Sequence, residues 1–218
     1  FKESLALGIR AILFITIPSA IGFITMRREI IRLLFERGEF TPVQTELTAY
    51  ALFFYSLGLF AHGTIQILPR GFYALKDTIT PVKVTSVTVL LSILLNFIFL
   101  RFTNLQHGGL ALSFSLMGAA NMLLSIILLR RKIGGIQGSK IIKTGCQSLL
   151  AALGMGLIIR GFLPVWTHFL FGLGLTRNLF NLFQVMGGVV AGGFSYLLLT
   201  AALRMAETKL LQKMLKRQ

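Results

Sequence analysis

Six long apolar runs constrain this chain more than any other feature of its sequence. They cover approximately residues 4–26, 46–68, 80–101, 108–130, 141–163 and 183–203. A helix needs about 20 residues to cross the hydrocarbon core of a bilayer, and each run is about that long. Because lipid offers no hydrogen-bond partners, the backbone must satisfy its own polar groups, which helices do. The runs therefore predict an all-α integral membrane protein with six transmembrane helices.

The charge content agrees with this prediction. Only 13% of the 218 residues are charged, about half of the roughly 25% found in soluble domains. The net charge is +15, and the basic residues lie at the ends of the apolar runs. That placement is typical of membrane topology and of binding to anionic phospholipid, and it argues against nucleic acid as a partner.

The distribution of Lys and Arg predicts the orientation. If the runs alternate in direction, 14 of the 22 basic residues fall on one side. These are Lys2, Arg70, Lys76, Lys83, Arg130, Arg131, Lys132, Lys140, Lys143, Arg204, Lys209, Lys213, Lys216 and Arg217. Basic residues are enriched in cytoplasmic loops. We therefore expect both termini, and the segment 69–83, to lie in the cytoplasm.

The segment 68–83 concentrates turn formers, aromatic residues and charges between two apolar runs. Pro69 should end or kink the preceding helix. Asp77 or Thr78 is suited to cap a new helix, with Pro81 in its first turn. Phe72 and Tyr73 are placed as headgroup-level anchors. Two interpretations stay open here: an anchored loop between two spans, or a hinge in a transporter.

Three other segments carry predictions. We interpret residues 27–38 as an interfacial amphipathic helix or a continuation of the first span. Residues 164–182 are predicted to form the longest external loop. The basic tail 209–218 should lie along the anionic inner leaflet. In the last span, Gly188 and Gly192 form a small-xxx-small pair that permits close approach of a helix or a lipid tail.

A few polar residues lie within the spans, where they normally face the protein interior or water. Arg10 either snorkels to the headgroups or faces a cavity as a cation for an anionic substrate. Ser92 and Asn96 share one face of the third span, and Ser113 lies in the fourth. Interhelical hydrogen bonds would explain them, and a hydrated cavity or cation site is the alternative. His62 reads as a packing histidine.

The sequence gives no case for an enzyme. All seven acidic residues lie at span ends or in loops, and the chain has no paired carboxylates or nucleophile–base arrangement. Cys146 is the only cysteine, which excludes a disulfide within the chain and a cysteine-based metal site. The chain begins at Phe1, and we expect it to have no signal peptide before the first span and to be the C-terminal part of a longer protein.

Several motifs resemble those of the MurJ (MviN) lipid II flippases, a family of the MOP exporter superfamily. They are Gly58-Leu59, Pro69-x-Gly71-Phe72-Tyr73-Ala74-x-x-Asp77-x-x-Thr80-Pro81, Asn96 and Gly109-Leu110-Ala111-Leu112-Ser113. Pro18-Ser19-Ala20 and Leu34-Phe35-x-x-Gly38-x-Phe40 fit the same family. The match runs in order from about residue 5 to 132, and beyond it the agreement is in span number and hydropathy.

The resemblance implies the ninth to fourteenth helices of a two-lobed, fourteen-helix transporter. Residues 1–132 would be four spans of the second lobe, and 133–218 two additional C-terminal spans with the basic tail. The family flips lipid-linked peptidoglycan precursor across the bacterial inner membrane by alternating access. The last two spans would form a groove for the lipid tail, where Gly188 and Gly192 lie.

The site residues that we take from the residue patterns and the resemblance together are Arg10, Arg70, Tyr73, Asp77 and Asn96, for substrate binding or gating. No cofactor is expected, and sodium or proton coupling stays open. Some family members have a sodium site, and the corresponding residues here are Ser92, Asn96 and Ser113, without a carboxylate. Expected partners are lipid II, anionic phospholipid and an N-terminal lobe outside this chain. The alternatives are another MOP exporter, of polysaccharide-lipid or drugs, and a non-transporting membrane scaffold.

Overall fold

The computed structural model describes residues 1–103, 105, 107–205 and 207–208. These residues form nine α-helices. They are α1 (Lys2–Thr25), α2 (Arg27–Phe35), α3 (Pro42–Leu57), α4 (Leu59–Ile65), α5 (Leu68–Ala74), α6 (Ile79–Phe102), α7 (His107–Ile133), α8 (Gly138–Phe171) and α9 (Arg177–Ala202). The predicted tail 209–218 lies outside the described residues, and its placement stays a prediction.

The all-α membrane fold is confirmed. Five helices, α1, α6, α7, α8 and α9, are long and apolar enough to cross a membrane. The pair formed by Pro42–Leu57 and Leu59–Ala74 is bent by 49° at its break and adds a sixth span if the two helices cross as one. The chain is therefore a multi-pass membrane protein, and the second apolar run forms a broken helix rather than a continuous one.

The break in the second span has a local cause at Gly58. A Cβ on Gly58 would lie 2.6 Å from the Cα of Ser115 in α7, so only glycine permits this approach. The amide of Gly58 bonds to the carbonyl of Tyr55, three residues back, at 3.2 Å. The hydroxyl of Ser115 donates to the carbonyl of Phe54 at 2.6 Å, which supplies a partner for that carbonyl.

Two predicted loops are shorter than the sequence suggested. The segment 69–83 is helical through Ala74 and again from Ile79, which leaves residues 75–78 as its turn. Pro69 sits in the first turn of α5, where its missing amide hydrogen costs nothing. The predicted extent of the external loop, 164–182, is also wrong, because α8 continues to Phe171 and α9 begins at Arg177. Pro164 is accommodated inside α8.

The chain divides into two compact units. The first comprises Phe1–Thr16 and Phe54–Gly145, and the second comprises Ile17–Phe53 and Cys146–Gln218. In the first unit α7 packs against α4, α5 and α6. In the second unit α2 packs against α9. These packing units do not test the predicted division at residue 132, which stays a prediction.

The segment 27–38 forms a separate helix, α2, in the second unit. A buried carboxylate, Glu36, follows it, and only 6% of its side chain is exposed. The hydroxyl of Thr45 in α3 donates to Glu36 at 2.8 Å, and the guanidinium of Arg177 in α9 also donates to it. The Thr45 hydroxyl, followed by Arg32 and Arg177, lowers the pKa of Glu36 against the opposing effect of burial. Glu36 therefore ties α2, α3 and α9 together.

Candidate functional site

The strongest concentration of polar contacts near the predicted gating residues is the turn between α5 and α6. Helix α5 ends in a Schellman motif, in which the amide of Asp77 bonds to the carbonyl of Phe72 at 3.0 Å and the amide of Lys76 bonds to Tyr73 at 2.9 Å. Lys76 adopts the left-handed conformation that this motif requires, with φ of 57°. The motif turns the chain sharply and points it into α6.

Asp77 links three helices, α5 through its backbone amide and α6 and α7 through its carboxylate. One oxygen, Oδ1, accepts the amide of Thr80 in the first turn of α6 at 3.0 Å, as predicted for a capping residue. The other, Oδ2, forms an ion pair with Lys132 in the last turn of α7. The Nζ of Lys132 also lies 3.4 Å from the hydroxyl of Thr80. We call Asp77, Thr80 and Lys132 the Asp77 clasp.

The electrostatics of the clasp favour the ionised carboxylate. Lys132, followed by the hydroxyl and amide of Thr80, holds the pKa of Asp77 well below its usual value. Only 15% of the Asp77 side chain is exposed, against 44% for Lys132. Asp77 therefore stays charged throughout the physiological pH range.

Apolar packing fixes the same three helices beneath the clasp. Leu68 and Phe72 of α5 are fully buried, as is Leu129 of α7. The prediction of Phe72 as a headgroup-level anchor is therefore wrong, because its ring packs inside this junction. A Cβ on Gly71 would lie 2.7 Å from the side chain of Leu129, so glycine permits α5 and α7 to approach closely. The clasp thus sits on a well-packed junction and not on a free loop.

Arg70 and Tyr73 lie on the opposite, exposed side of α5. Tyr73 is 54% exposed, and Arg70 is also exposed. Neither belongs to the clasp, although both come from the same motif. Arg10 lies about two turns into α1 and is half-buried. Their roles in substrate binding or gating stay predictions.

The polar residues of α6 and α7 meet each other across the helix interface. The hydroxyl of Ser113 donates to the amide oxygen of Asn96. The amide of Asn121 donates to the hydroxyl of Thr88 at 3.0 Å, and Thr88 donates in turn to the carbonyl of Val84. These contacts are interhelical hydrogen bonds, one of the two explanations for the polar faces of the third and fourth spans.

Two of the three suggested sodium ligands are therefore each other's partners. Asn96 and Ser113 are in contact, and Ser92 lies one turn before Asn96 on α6. No group of three or more His, Cys, Asp or Glu side chains suited to a metal ion occurs in the part of the chain that the structure describes. These three side chains offer a sodium ion only neutral oxygen ligands, which would bind it weakly.

The glycines of the last span lie at close helix contacts. A Cβ on Gly188 would clash with the Cε of Met26, which lies between α1 and α2. A Cβ on Gly192 would lie 2.8 Å from the Cδ1 of Ile159 in α8. Both glycines are buried, and their assignment to a lipid-tail groove stays a prediction.

His62 of α4 is a packing residue in this structure. Its ring stacks on Phe114 of α7 with centroids 4.1 Å apart. Its Nε2 lies 3.1 Å from the carbonyl of Phe114 and donates to it. A Cβ on Gly118 would lie 2.5 Å from that nitrogen, so glycine provides the space for the ring.

Comparison with known proteins decides the family. The family model described as "Lipid II flippase MurJ" matches residues 1–180. The chain belongs to the MurJ family. The match includes α1 to α8 and the first residues of α9, so the family covers both the clasp and the polar interface of α6 and α7.

Curated relatives agree with this assignment. The "Probable lipid II flippase MurJ" of Vibrio cholerae is 36% identical over 124 residues, which is 57% of this chain and 23% of the relative. The protein of the same name from Buchnera aphidicola subsp. Acyrthosiphon pisum is 32% identical over 199 residues, 90% of this chain and 37% of the relative. The "Lipid II flippase MurJ" of Thermosipho africanus is 35% identical over 125 residues, covering 56% of this chain and 26% of that relative. The matches thus cover between 23% and 37% of the length of these relatives.

The sequence did not indicate the MurJ residue that completes the clasp. Lys132 contributes to the predicted topology as a basic residue, yet it is also the ion-pair partner of Asp77, 55 residues away. No local signal marks this partner, because the contact depends on how α7 packs. Ser115 makes an interhelical hydrogen bond, as expected for the polar residues of the fourth span, but its partner near the break at Gly58 is known only from the structure.

Proposed function

We propose that this chain is the C-terminal half of a lipid II flippase that works by alternating access. It would act in the bacterial inner membrane with both termini in the cytoplasm, together with an N-terminal lobe, and it would carry out transport without enzymatic chemistry. The match to the MurJ family over residues 1–180 is the observation that carries this proposal. The basic residues on one side of the spans support the orientation.

The Asp77 clasp supplies a mechanical role within this function. Alternating access moves helical bundles as nearly rigid bodies about short connections. The turn 75–78 is such a connection, and the clasp holds it between the end of α5, the start of α6 and the end of α7. We propose that the clasp stabilises one of the two access states, so that its loss biases the transporter towards the other.

The proposal includes no bound cofactor that couples transport to an ion gradient. The oxygens of Ser92, Asn96 and Ser113 would be the ligands of a sodium ion. This set has no carboxylate, and Asn96 and Ser113 already form a hydrogen bond with each other. No step of the proposed mechanism therefore passes through sodium. Proton or sodium coupling, and binding of anionic phospholipid, stay predictions.

Complementation tests the proposed cargo. The protein, expressed at its full natural length, is introduced into a bacterial strain depleted of its own lipid II flippase. We expect rescue of growth and of lipid II translocation. Normal membrane insertion without rescue would contradict the proposal and favour another MOP exporter or the scaffold.

Variants of the clasp test its mechanical role in the same assay. We expect Asp77→Ala and Lys132→Ala each to reduce translocation at equal membrane abundance. The charge exchange Asp77→Lys with Lys132→Asp should restore part of the activity, because the ion pair reforms with reversed polarity. Arg70→Ala tests the rest of the motif separately, because Arg70 lies on the exposed side of α5 and outside the clasp. Unchanged translocation in all of these variants would contradict a gating role for the segment.

A further inference from the structure

The second unit contains a large pocket that the proposed transport function does not use. Its volume is about 820 Å³, within the range of about 300–1,000 Å³ typical of small-molecule sites. It lies among the end of α1, the start of α2, the middle of α8 and one residue of α9. The lining residues are Ile21, Ile24, Thr25, Arg27, Arg28, Glu29, Leu153, Gly156, Leu157, Arg160, Leu163, Pro164, Thr167 and Gln184. We call this the arginine pocket.

The polar part of the arginine pocket is positively charged. It contains Arg27, Arg28 and Arg160 against the single carboxylate of Glu29. Arg27 lies over the ring of Phe53 with its guanidinium carbon 5.4 Å from the centroid. Arginine at such a site suits phosphate, because its planar donors match two phosphate oxygens at once.

Two of these arginines keep donors available for a ligand. Arg28 pairs with Glu46 at 2.8 Å, but both side chains are more than half exposed. An exposed pair of this kind contributes little stability, so a ligand can displace it at small cost. Arg160 is exposed on α8.

A buried amide in the same pocket provides an independent sign of a ligand. Gln184 is only 6% exposed. Its Nε2 donates to the hydroxyl of Thr167 at 2.9 Å, and that hydroxyl donates to the carbonyl of Leu163. Its Oε1 is buried without a hydrogen-bond partner among the described residues. Since an unmade buried hydrogen bond is costly, the pocket favours a ligand that carries a hydroxyl or amide donor.

The remaining wall of the pocket is apolar and continues along α8. Leu153 and Leu157 precede Arg160 by two turns and one turn on the same helix face. Leu157 is 73% exposed and Leu153 is 48% exposed. Gly156 lets α8 approach α1 closely, because a Cβ there would lie 2.9 Å from the Cγ2 of Ile21. A hydrocarbon chain can therefore run along these leucines while its headgroup reaches the arginines.

We propose that the arginine pocket binds an anionic phospholipid with a hydroxyl-bearing headgroup, of the phosphatidylglycerol type. The phosphate would contact Arg28 and Arg160, a headgroup hydroxyl would donate to Oε1 of Gln184, and an acyl chain would lie against Leu153 and Leu157. By the predicted orientation these residues lie at the external face, so the lipid would come from the external leaflet. Charge complementarity, the unpartnered amide oxygen and the adjoining apolar wall all select this class of ligand.

Titration with labelled lipids tests this site. The protein at its full natural length, in a neutral detergent, is titrated with phosphatidylglycerol and with phosphatidylcholine that carry the same fluorescent acyl chain. We expect clear preference for phosphatidylglycerol. Arg160→Gln should weaken its binding about tenfold, which is the loss of ~1.4 kcal/mol. Gln184→Leu should weaken it several-fold while leaving phosphatidylcholine binding unchanged.

Arg37→Gln is the matched control. It removes the same charge from the same predicted side, at an exposed residue that does not line the pocket, and it should change the affinity less than twofold. If Arg160→Gln does not fold, Arg28→Gln carries the same expectation. Equal affinity for both lipids, or equal losses in Arg160→Gln and Arg37→Gln, would overturn the proposal.

Competition with inorganic phosphate separates a lipid site from a free-anion site. A lipid site predicts weak competition, because phosphate lacks the contacts with Leu153 and Leu157. Full displacement by inorganic phosphate at concentrations close to that of the lipid would overturn the proposal in favour of a free anion. The assay contains no lipid II, so its failure would leave the proposed transport function standing, and failed complementation would leave this site standing.

Discussion

At the scale of single residues, Lys76 forms the turn after α5 in an energetically unfavourable backbone conformation. It adopts φ of 57° at the position of the Schellman motif that glycine normally occupies. A side chain in this conformation costs about 1–2 kcal/mol, and glycine removes this cost but loses more chain entropy on folding. We expect Lys76→Gly to raise the free energy of unfolding by about 0.5 kcal/mol. Thermal unfolding in detergent would measure it, with Lys76→Ala as the control that removes the charge but retains the Cβ. A midpoint in Lys76→Gly no higher than in Lys76→Ala would contradict the argument.

Asp77 makes a prediction about pH at the same scale. Its pKa lies below the usual 3.8 in the folded protein, chiefly because of Lys132. A carboxylate with a lowered pKa stabilises the fold fully above its unfolded pKa and loses that contribution as the pH falls. The difference in thermal midpoint between the natural protein and Asp77→Asn should therefore stay constant from pH 8 to about pH 5 and shrink below about pH 4. A difference that already shrinks between pH 8 and 6 would show that another group controls it.

At the scale of the elements, the break between α3 and α4 depends on one close approach. A Cβ on Gly58 would meet the Cα, Cβ and Oγ of Ser115, all within 2.8 Å. We expect Gly58→Ala to destabilise the protein by about 2 kcal/mol, because α7 must move its backbone away. Gly193→Ala is the control, since a Cβ there meets nothing within 4 Å. Thermal unfolding of both variants compares them, and an equal effect would remove the steric explanation.

The buried carboxylate of Glu36 joins elements in the second unit. It receives Thr45 from α3 and Arg177 from α9. We expect Glu36→Gln to lower stability by about 2 kcal/mol, since hydrogen bonds to a charged group are lost and Arg177 loses its counter-charge. Arg37→Gln, at an exposed residue nearby, serves as the control. Equal stability of Glu36→Gln and the natural protein, by thermal unfolding, would contradict this role.

The elements also show where sequence-based prediction succeeds and where it ends. The spans were predictable because each apolar run must form a helix in lipid. The capping role of Asp77 was predictable because a cap needs only local residues. Its ion pair with Lys132 was not, because that contact depends on the packing of α5 against α7, which only the structure reveals. The fifth span was predicted to end at residue 163, yet its helix continues past Pro164 to Phe171.

At the scale of the whole molecule, α8 raises the question of how the spans cross the bilayer. Its 34 residues correspond to about 51 Å of helix, against a hydrocarbon core of about 30 Å. Either the helix tilts or its ends project beyond the core. The connections on either side of α8 should therefore be accessible to water, the one before it from the cytoplasm and the one after it from outside.

Cysteine labelling in intact cells tests this orientation. In the protein at its full natural length, with Cys146 and every other cysteine replaced by serine, single cysteines are placed at Gln137 before α8 and at Gly172 after it. A membrane-impermeant maleimide added from outside should label Gly172→Cys and leave Gln137→Cys unlabelled until the membrane is permeabilised, because basic residues cluster on the cytoplasmic side. The opposite pattern would reverse the orientation and place the Asp77 clasp outside. The arginine pocket would then draw its lipid from the cytoplasmic leaflet, so this experiment decides on which side of the membrane each site works.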